Sequence, residues 1–246
     1  MEHTHNSTLA DQVVVITGGS RGIGYATGQA LGALGATVVL VGRTPEAGER
    51  ASELLVAQGI DAIGLGVDVS DGDAVAEVLG QHPIAQNADI LINSAAVMSE
   101  KTAKTLRTTY QEWRRVLGTN LDGIFNVIHT LVPQMAQRRH GRVINVSACL
   151  GRFTGPGLAG GLAPYRISKS AVNALTKNLA VELGLGSRGV LVDAMCPNHT
   201  RTDMGGPDAP RSAEQAADTI VWLATREHTT DLQTGLLWED RQIVPW

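Results

Sequence analysis

Along this chain, short β-branched runs alternate with longer stretches whose apolar residues recur every three or four positions. The first pattern suits buried strands and the second amphipathic helices. Val13–Ile16 ends in Thr17-Gly-Gly-Ser-Arg-Gly-Ile-Gly24, a helical pattern runs from Tyr25 to Leu34, and a second apolar run covers Thr37–Val41. That is a βαβ unit of the length a parallel crossover needs. A helix is predicted over Pro45–Gln58 and a third strand over Ala62–Val67. That strand runs into Asp68-Val69, with Ser70 as N-cap of the next helix. Asp89–Ile92 reads as a fourth strand stopping at Asn93-Ser-Ala-Ala96. Two helical patterns, broken or joined near Asn120, reach Arg139, and Gly141–Val146 is a fifth strand. A glycine-rich loop, Arg152–Pro164, leads into a helix opened by Tyr165. Gly189–Ala194 is the sixth strand, Thr200–Arg211 a loop, and Ser212 caps a helix through Ala224. Thr234–Trp238 suggests a last short strand, and Ile243–Trp246 a docked C-terminus.

This alternation predicts an α/β protein with a doubly wound parallel sheet and helices on both faces. Ligands of such sheets bind beyond the carboxyl ends of the strands. The glycine turn, Arg43, Asp68, Asn93, Ser147 and Asn198 all fall at such ends. No repeat or linker interrupts the 246 residues, so a single domain over 1–246 is expected, with residues 1–9 as a flexible tail.

Composition narrows the function classes. The chain is 43% hydrophobic and 18% charged, with a net charge of −4, which fits a globular protein and argues against nucleic acid as the main partner. No apolar run is long enough to span a bilayer, and no basic segment followed by an apolar one opens the chain. The two cysteines, Cys149 and Cys196, make no disulfide framework. A cytoplasmic protein without membrane or metal partners is expected.

The candidate chemistry gathers in three places. Gly18, Gly22 and Gly24 lie between a strand and a helix, where glycine permits close approach of a pyrophosphate and the helix N-terminus offers free N–H groups. At the end of the second strand, no carboxylate awaits a ribose 2′-hydroxyl; Gly42 and Arg43 stand there instead. Arg43 and Arg21 offer two guanidinium groups suited to a 2′-phosphate, which points to NADP(H). Tyr165 and Lys169 lie four residues apart on one helix face, where the ammonium is expected to lower the phenol's pKa and make it a usable proton donor.

Together these residues resemble the short-chain dehydrogenase/reductase family over nearly the whole chain. Thr17–Gly24, including Ser20 and Ile23, is similar to the family's cofactor turn, and Asp68-Val69 to the pair that contacts adenine. Asn93-Ser-Ala-Ala96, with Ala95, is a loose version of Asn-Asn-Ala-Gly. Asn120 matches the helix asparagine that holds a proton-relay water, and Tyr165 with Lys169 the catalytic pair. Within Pro197–Met204, Thr200 and Thr202 match cofactor-binding positions, Thr202 being the threonine that holds the nicotinamide carboxamide. The C-terminal stretch looks most like the carbonyl-reductase branch. The resemblance implies a Rossmann-type fold, NADP(H), a small-molecule carbonyl substrate, and a homodimer or homotetramer. It further implies hydride transfer with Tyr165 as acid and Lys169 holding the nicotinamide ribose.

Three departures stand against that pattern. Asn198 replaces the glycine after the proline, and Ser94 and Ala96 loosen the asparagine motif. Where the family carries its catalytic serine, alignment of Ile144–Gly151 puts Ala148; Ser147 is one residue away, and a shifted register would let Ser147 or Thr154 serve. The leading expectation is an NADPH-dependent ketone or aldehyde reductase. Altered chemistry on the same scaffold, such as imine reduction or a non-redox step, and an NADP(H) sensor are the alternatives.

Overall fold

Successive strand residues point to opposite faces, and here both faces are apolar. A computed structural model of the chain describes residues 8–101, 103–226 and 233–246. Its sheet comprises β1 (Val13–Thr17), β2 (Thr37–Gly42), β3 (Ala62–Gly66), β4 (Ile90–Asn93), β5 (Gly141–Val146), β6 (Val190–Met195), β7 (Leu237–Glu239) and β8 (Gln242–Val244). The spatial order is β3-β2-β1-β4-β5-β6-β7-β8. The helices are α1 (Gly22–Ala33), α2 (Pro45–Val56), α3 (Gly72–Val78), α4 (Tyr110–Leu117), α5 (Gly123–Arg138), α6 (Ala163–Glu182) and α7 (Ala213–Thr225). Val15, Val39, Leu91, Val143 and Val192 meet α3, α5 and α6 on one face. Val14, Ile16, Leu40, Ile92 and Ile144 meet α1, α2 and α7 on the other. Strands buried on both sides read as continuous apolar runs, which is the pattern seen in the sequence.

Several boundaries moved for local reasons. Asp71, not Ser70, caps α3: its carboxylate accepts from the Ala74 N–H, while the Ser70 hydroxyl donates to Asp68. Ser212 caps α7 in a full capping box with Gln215. The two patterns around Asn120 are joined by a π turn, Gly118–Asp122, that carries α4 into α5. The sheet is not wholly parallel, because β8 pairs antiparallel with β7. Of the expected flexible tail, residues 1–7 lie outside the described residues; Leu9 is buried and its N–H bonds the Leu34 carbonyl.

One buried charge ties the C-terminal strands to the sheet. Asp193 on β6 accepts from the Trp238 indole, the Leu236 N–H and the Arg226 guanidinium. Arg226 lies 5.1 Å from the ring centroids of both Trp222 and Trp238. Removing one partner of a buried pair leaves the other uncompensated, at a cost of about 3–5 kcal/mol. Asp193→Ala is therefore expected to lower unfolding free energy by about that amount, read from urea melts. A loss within about 1 kcal/mol of zero would show that the network adds nothing.

Candidate active site

Most of the groups singled out in the sequence lie around one cleft of about 830 Å³ at the carboxyl ends of the strands. Gly18, Ser20, Arg21, Gly22, Ile23, Gly24, Arg43, Asp68, Val69, Ala95, Tyr165, Lys169 and Thr202 line it. Asn93, Asn120 and Thr200 do not. Asn93 is buried and donates to Asn145, which in turn donates to Thr176, so it braces β4 against β5 and α6. The Thr200 hydroxyl turns back to the Pro197 carbonyl.

At one end the glycine turn brings β1 against the end of β4. Gly18 has φ +65°, and a Cβ there would meet the Ala95 Cα at 2.8 Å; one on Gly24 would meet the Gly18 carbonyl oxygen at 2.3 Å. The first turn of α1 has no acidic residue and no side-chain cap. Its free N–H groups and positive dipole end make a site for an anion, and the bare glycine backbone leaves room for a pyrophosphate. These residues fit a dinucleotide. Arg43 and Arg50 stand beyond β2, and the acids on the cleft wall are Asp68 and Asp203. Hydrogen bonds from Ser70 hold the Asp68 carboxyl below the usual carboxylate range. Arg21 pairs at 2.5 Å with Asp203, which comes from the loop after β6. Arg50 and Asp203 carried no signal in the sequence, because helix turn and loop path bring them here.

At the other end, Tyr165 sits in the first turn of α6. Its N–H donates to the Ser99 hydroxyl, so a residue from the segment after β4 caps this helix. The Ser168 hydroxyl donates to the Tyr165 carbonyl and accepts from Asn120. Asn120 Nδ2 also donates to the Val97 carbonyl, and its Oδ1 accepts from the Val97 N–H. Both amide hydrogens and the amide oxygen are thus engaged within the chain. π turns often mark functional positions, and this one turns Asn120 inward.

Lys169 is fully buried; its ammonium donates to the Val146 carbonyl at 2.7 Å and lies 5.8 Å from the Tyr165 ring centroid. Burial pulls Lys169 down to about 8. Burial also pushes the Tyr165 phenol above its ordinary value, the reverse of the depressed pKa expected from the sequence. The reason is geometric: the ammonium is spent on a backbone carbonyl, and desolvation outweighs its pull on the phenol.

Side-chain direction separates the two candidate positions, and of the two only Ser147 lines the cleft. The Ser147 hydroxyl points into α6, donating to Asn173 at 2.5 Å, and is buried. Ala148 packs on Tyr165 and Val116, with Val97, Met98, Leu150 and Leu162 around them. The residue facing Tyr165 is alanine. Asn173, another residue with no signal in the sequence, also donates to the Gly151 carbonyl and so fixes this turn. Asn198 takes φ +59°, a left-handed conformation that asparagine tolerates better than most side chains, which explains how it replaces glycine.

Known proteins share this fold. The short chain dehydrogenase family model matches residues 12–212. The chain belongs to this family of oxidoreductases. It is 34% identical over 221 residues to the 3-oxoacyl-acyl-carrier-protein reductase FabG of Staphylococcus aureus, covering 89% of this chain and 86% of that one. A 3-oxoacyl-acyl-carrier-protein reductase from Brucella melitensis superposes with TM-score 0.81 at 30% identity, covering 95% and 91% of the two chains. A putative NAD(P)-dependent gluconate 5-dehydrogenase from Beutenbergia cavernae with bound NADP superposes with TM-score 0.84 at 25% identity, covering 95% and 96%. Among the described residues, no helix is long and apolar enough to cross a membrane.

The Lys169 shift has a testable sign. Its folded pKa, about 8, lies below the ordinary 10.5, so the unfolded chain binds more protons between those values. The penalty for burying the charge is therefore full below about pH 8 and fades as pH rises. Thermal melts of Lys169→Met should lack the gain in stability that the parent chain shows from about pH 8 upward. Parallel pH curves for the two proteins would contradict a buried, depressed lysine.

Proposed function

We propose that this chain is an NADP(H)-dependent reductase of ketones, including 3-oxoacyl groups, with Tyr165 as proton donor. The observation that carries the reading is the continuity of one cleft, from Arg21, Arg43 and Arg50 to Tyr165 and Lys169. When bound, NADPH supplies a hydride to the carbonyl carbon. The glycine turn and the α1 N-terminus would hold its pyrophosphate, and Arg43 with Arg21 its 2′-phosphate. Thr202 would take the carboxamide. Lys169 would hold the nicotinamide ribose.

Tyr165 gives its proton to the carbonyl oxygen as charge gathers there. The phenol is protonated at neutral pH, and burial makes it a weaker acid than a free tyrosine, so donation depends on the positive charge of Lys169 beside it. Lys169 is charged at neutral pH and stabilises the phenolate left behind. Ala148 offers no second donor to the oxygen, and Val97, Met98, Leu150 and Leu162 pack around it and Tyr165. Relatives that reduce 3-oxoacyl groups support ketone reduction over altered chemistry.

Three measurements test this reading. Tyr165→Phe keeps the ring and removes the proton, so ketone-dependent NADPH oxidation should collapse while NADPH affinity stays near the parent value; unchanged turnover would mean another donor. Arg43→Ala removes charge-assisted hydrogen bonds of about 1.5–3 kcal/mol and should weaken NADPH about tenfold or more, leaving NADH nearly untouched. A parent chain that already prefers NADH would refute that reading. A donor aimed at developing charge is commonly worth about 10²–10³ in rate. Ala148→Ser should therefore raise kcat, and Ser147→Ala should not lower it through loss of a donor, since its hydroxyl faces away. The opposite pattern would return the role to Ser147.

A further inference from the structure

Tyr165 stands in the first turn of a helix that cannot cap itself. Leu162, the residue before α6, has no side-chain acceptor and takes φ +51°, a conformation leucine rarely adopts. Pro164 has no N–H to satisfy. The Arg166 N–H closes back on the Leu162 carbonyl. Two donors of the turn then need partners from elsewhere, and the segment after β4 supplies both. Ala163 donates to the Ala103 carbonyl and Tyr165 to the Ser99 hydroxyl, each at 2.9 Å.

The same segment is gripped residue by residue from its other side. Asn120 accepts from the Val97 N–H at 2.8 Å and donates to the Val97 carbonyl at 3.0 Å. Arg115 on α4 donates to the Met98 carbonyl at 2.8 Å. The Glu100 N–H donates to the Glu112 carboxylate, also on α4, at 2.8 Å. Glu112 is buried, and Arg115 bonds both of its oxygens, at 2.8 and 3.0 Å. A buried carboxylate is costly unless it is paired and hydrogen-bonded. All the bonds recorded for this side chain go to Arg115 and to the Glu100 N–H. Ser99, Glu112 and Arg115 are not among the residues that line the cleft.

We propose that Ser99, Glu112 and Arg115 are positioning residues for Tyr165: the α4 pair holds Met98 and Glu100, and Ser99 between them holds the first turn of α6. The effect on turnover rests on the reductase reading; the clamp itself does not. Lys169 lies one turn further on and is tied separately to the Val146 carbonyl. The clamp therefore sets where Tyr165 stands relative to Lys169 and to Ala148, on which it packs. Misplacement of a reacting group by about 1 Å can cost about 10²-fold.

The test reads amide hydrogen exchange and steady-state kinetics on the same full-length variants. Ser99→Ala removes the acceptor, so the Tyr165 N–H should exchange about fivefold faster or more, as for a lost helix cap. Amides of β1 and β2 should keep the parent rate. The double variant Glu112→Leu, Arg115→Met removes the pair without leaving a lone buried charge. It should speed exchange at both Glu100 and Tyr165. In both proteins kcat for ketone reduction should fall at least about tenfold, with NADPH affinity near the parent value. Ser99→Thr keeps a hydroxyl and should restore exchange and kcat together. A loss in Ser99→Thr equal to that in Ser99→Ala would show that side-chain volume sets the turn, and would overturn the clamp. So would parent exchange at Tyr165 in either of the other two variants. A lower melting temperature with parent kcat per folded site would reduce the three residues to a structural role and overturn the effect on turnover. A parent chain that converts no ketone would refute the reductase reading, and exchange at Tyr165 would still decide the clamp.

Discussion

Parallel hydrogen bonding sets the strand ends at one level, and the site depends on that alignment. Leu65, Val41, Thr17, Asn93, Asn145, Ala194 and Leu237 form a single row across the sheet. The segments that leave this row therefore emerge along one edge: Arg43 after β2, the glycine turn after β1, Ser94–Ala96 after β4, Ala148 after β5 and Pro197 after β6. The Asn93–Asn145–Thr176 chain of hydrogen bonds reinforces the row where the two central strands stop. A one-residue slip in β5 would exchange Ser147 and Ala148 between faces and rewrite the chemistry at Tyr165.

That edge separates two electrostatic settings. The arginine end is open to water, where Arg21 and Asp203 are both largely exposed and their pair is worth little by itself. At the tyrosine end both side chains are buried, and desolvation shifts the pKa of Tyr165 up and that of Lys169 down. An exposed cationic mouth can draw in an anionic dinucleotide without a large cost in stability. A buried phenol and amine hold defined protons until charge develops next to them. On the proposed function, one cleft would join recognition by charge to proton transfer in a low-dielectric interior.

The alternation of strands and helices, the glycine turn, and the Tyr165–Lys169 face are readable in the sequence because each rests on local spacing. Central strands such as β5 match residue for residue, since unbroken apolar runs leave one way to be buried. The features that escape a sequence reading depend on distant partners. Ser99 caps α6 from across the fold, Arg21 meets Asp203 through a loop, and the π turn at Asn120 has no composition of its own. The phenol's pKa runs opposite to expectation because sequence spacing shows the lysine's nearness and not the Val146 carbonyl that engages it. The direction of Ser147 needs the strand's register, which spacing alone leaves open. At α3, two adjacent capping residues compete, and the Asp68–Ser70 hydrogen bonds leave the cap to Asp71.

The most direct test of one continuous cleft is a crystal structure of the chain with NADPH and no substrate. The account predicts the dinucleotide laid along the strand ends, its 2′-phosphate on Arg43 and Arg21 and its nicotinamide ribose against Lys169, beside Tyr165. Electron density that places the nicotinamide away from Tyr165, or the nucleotide outside this cleft, would contradict it.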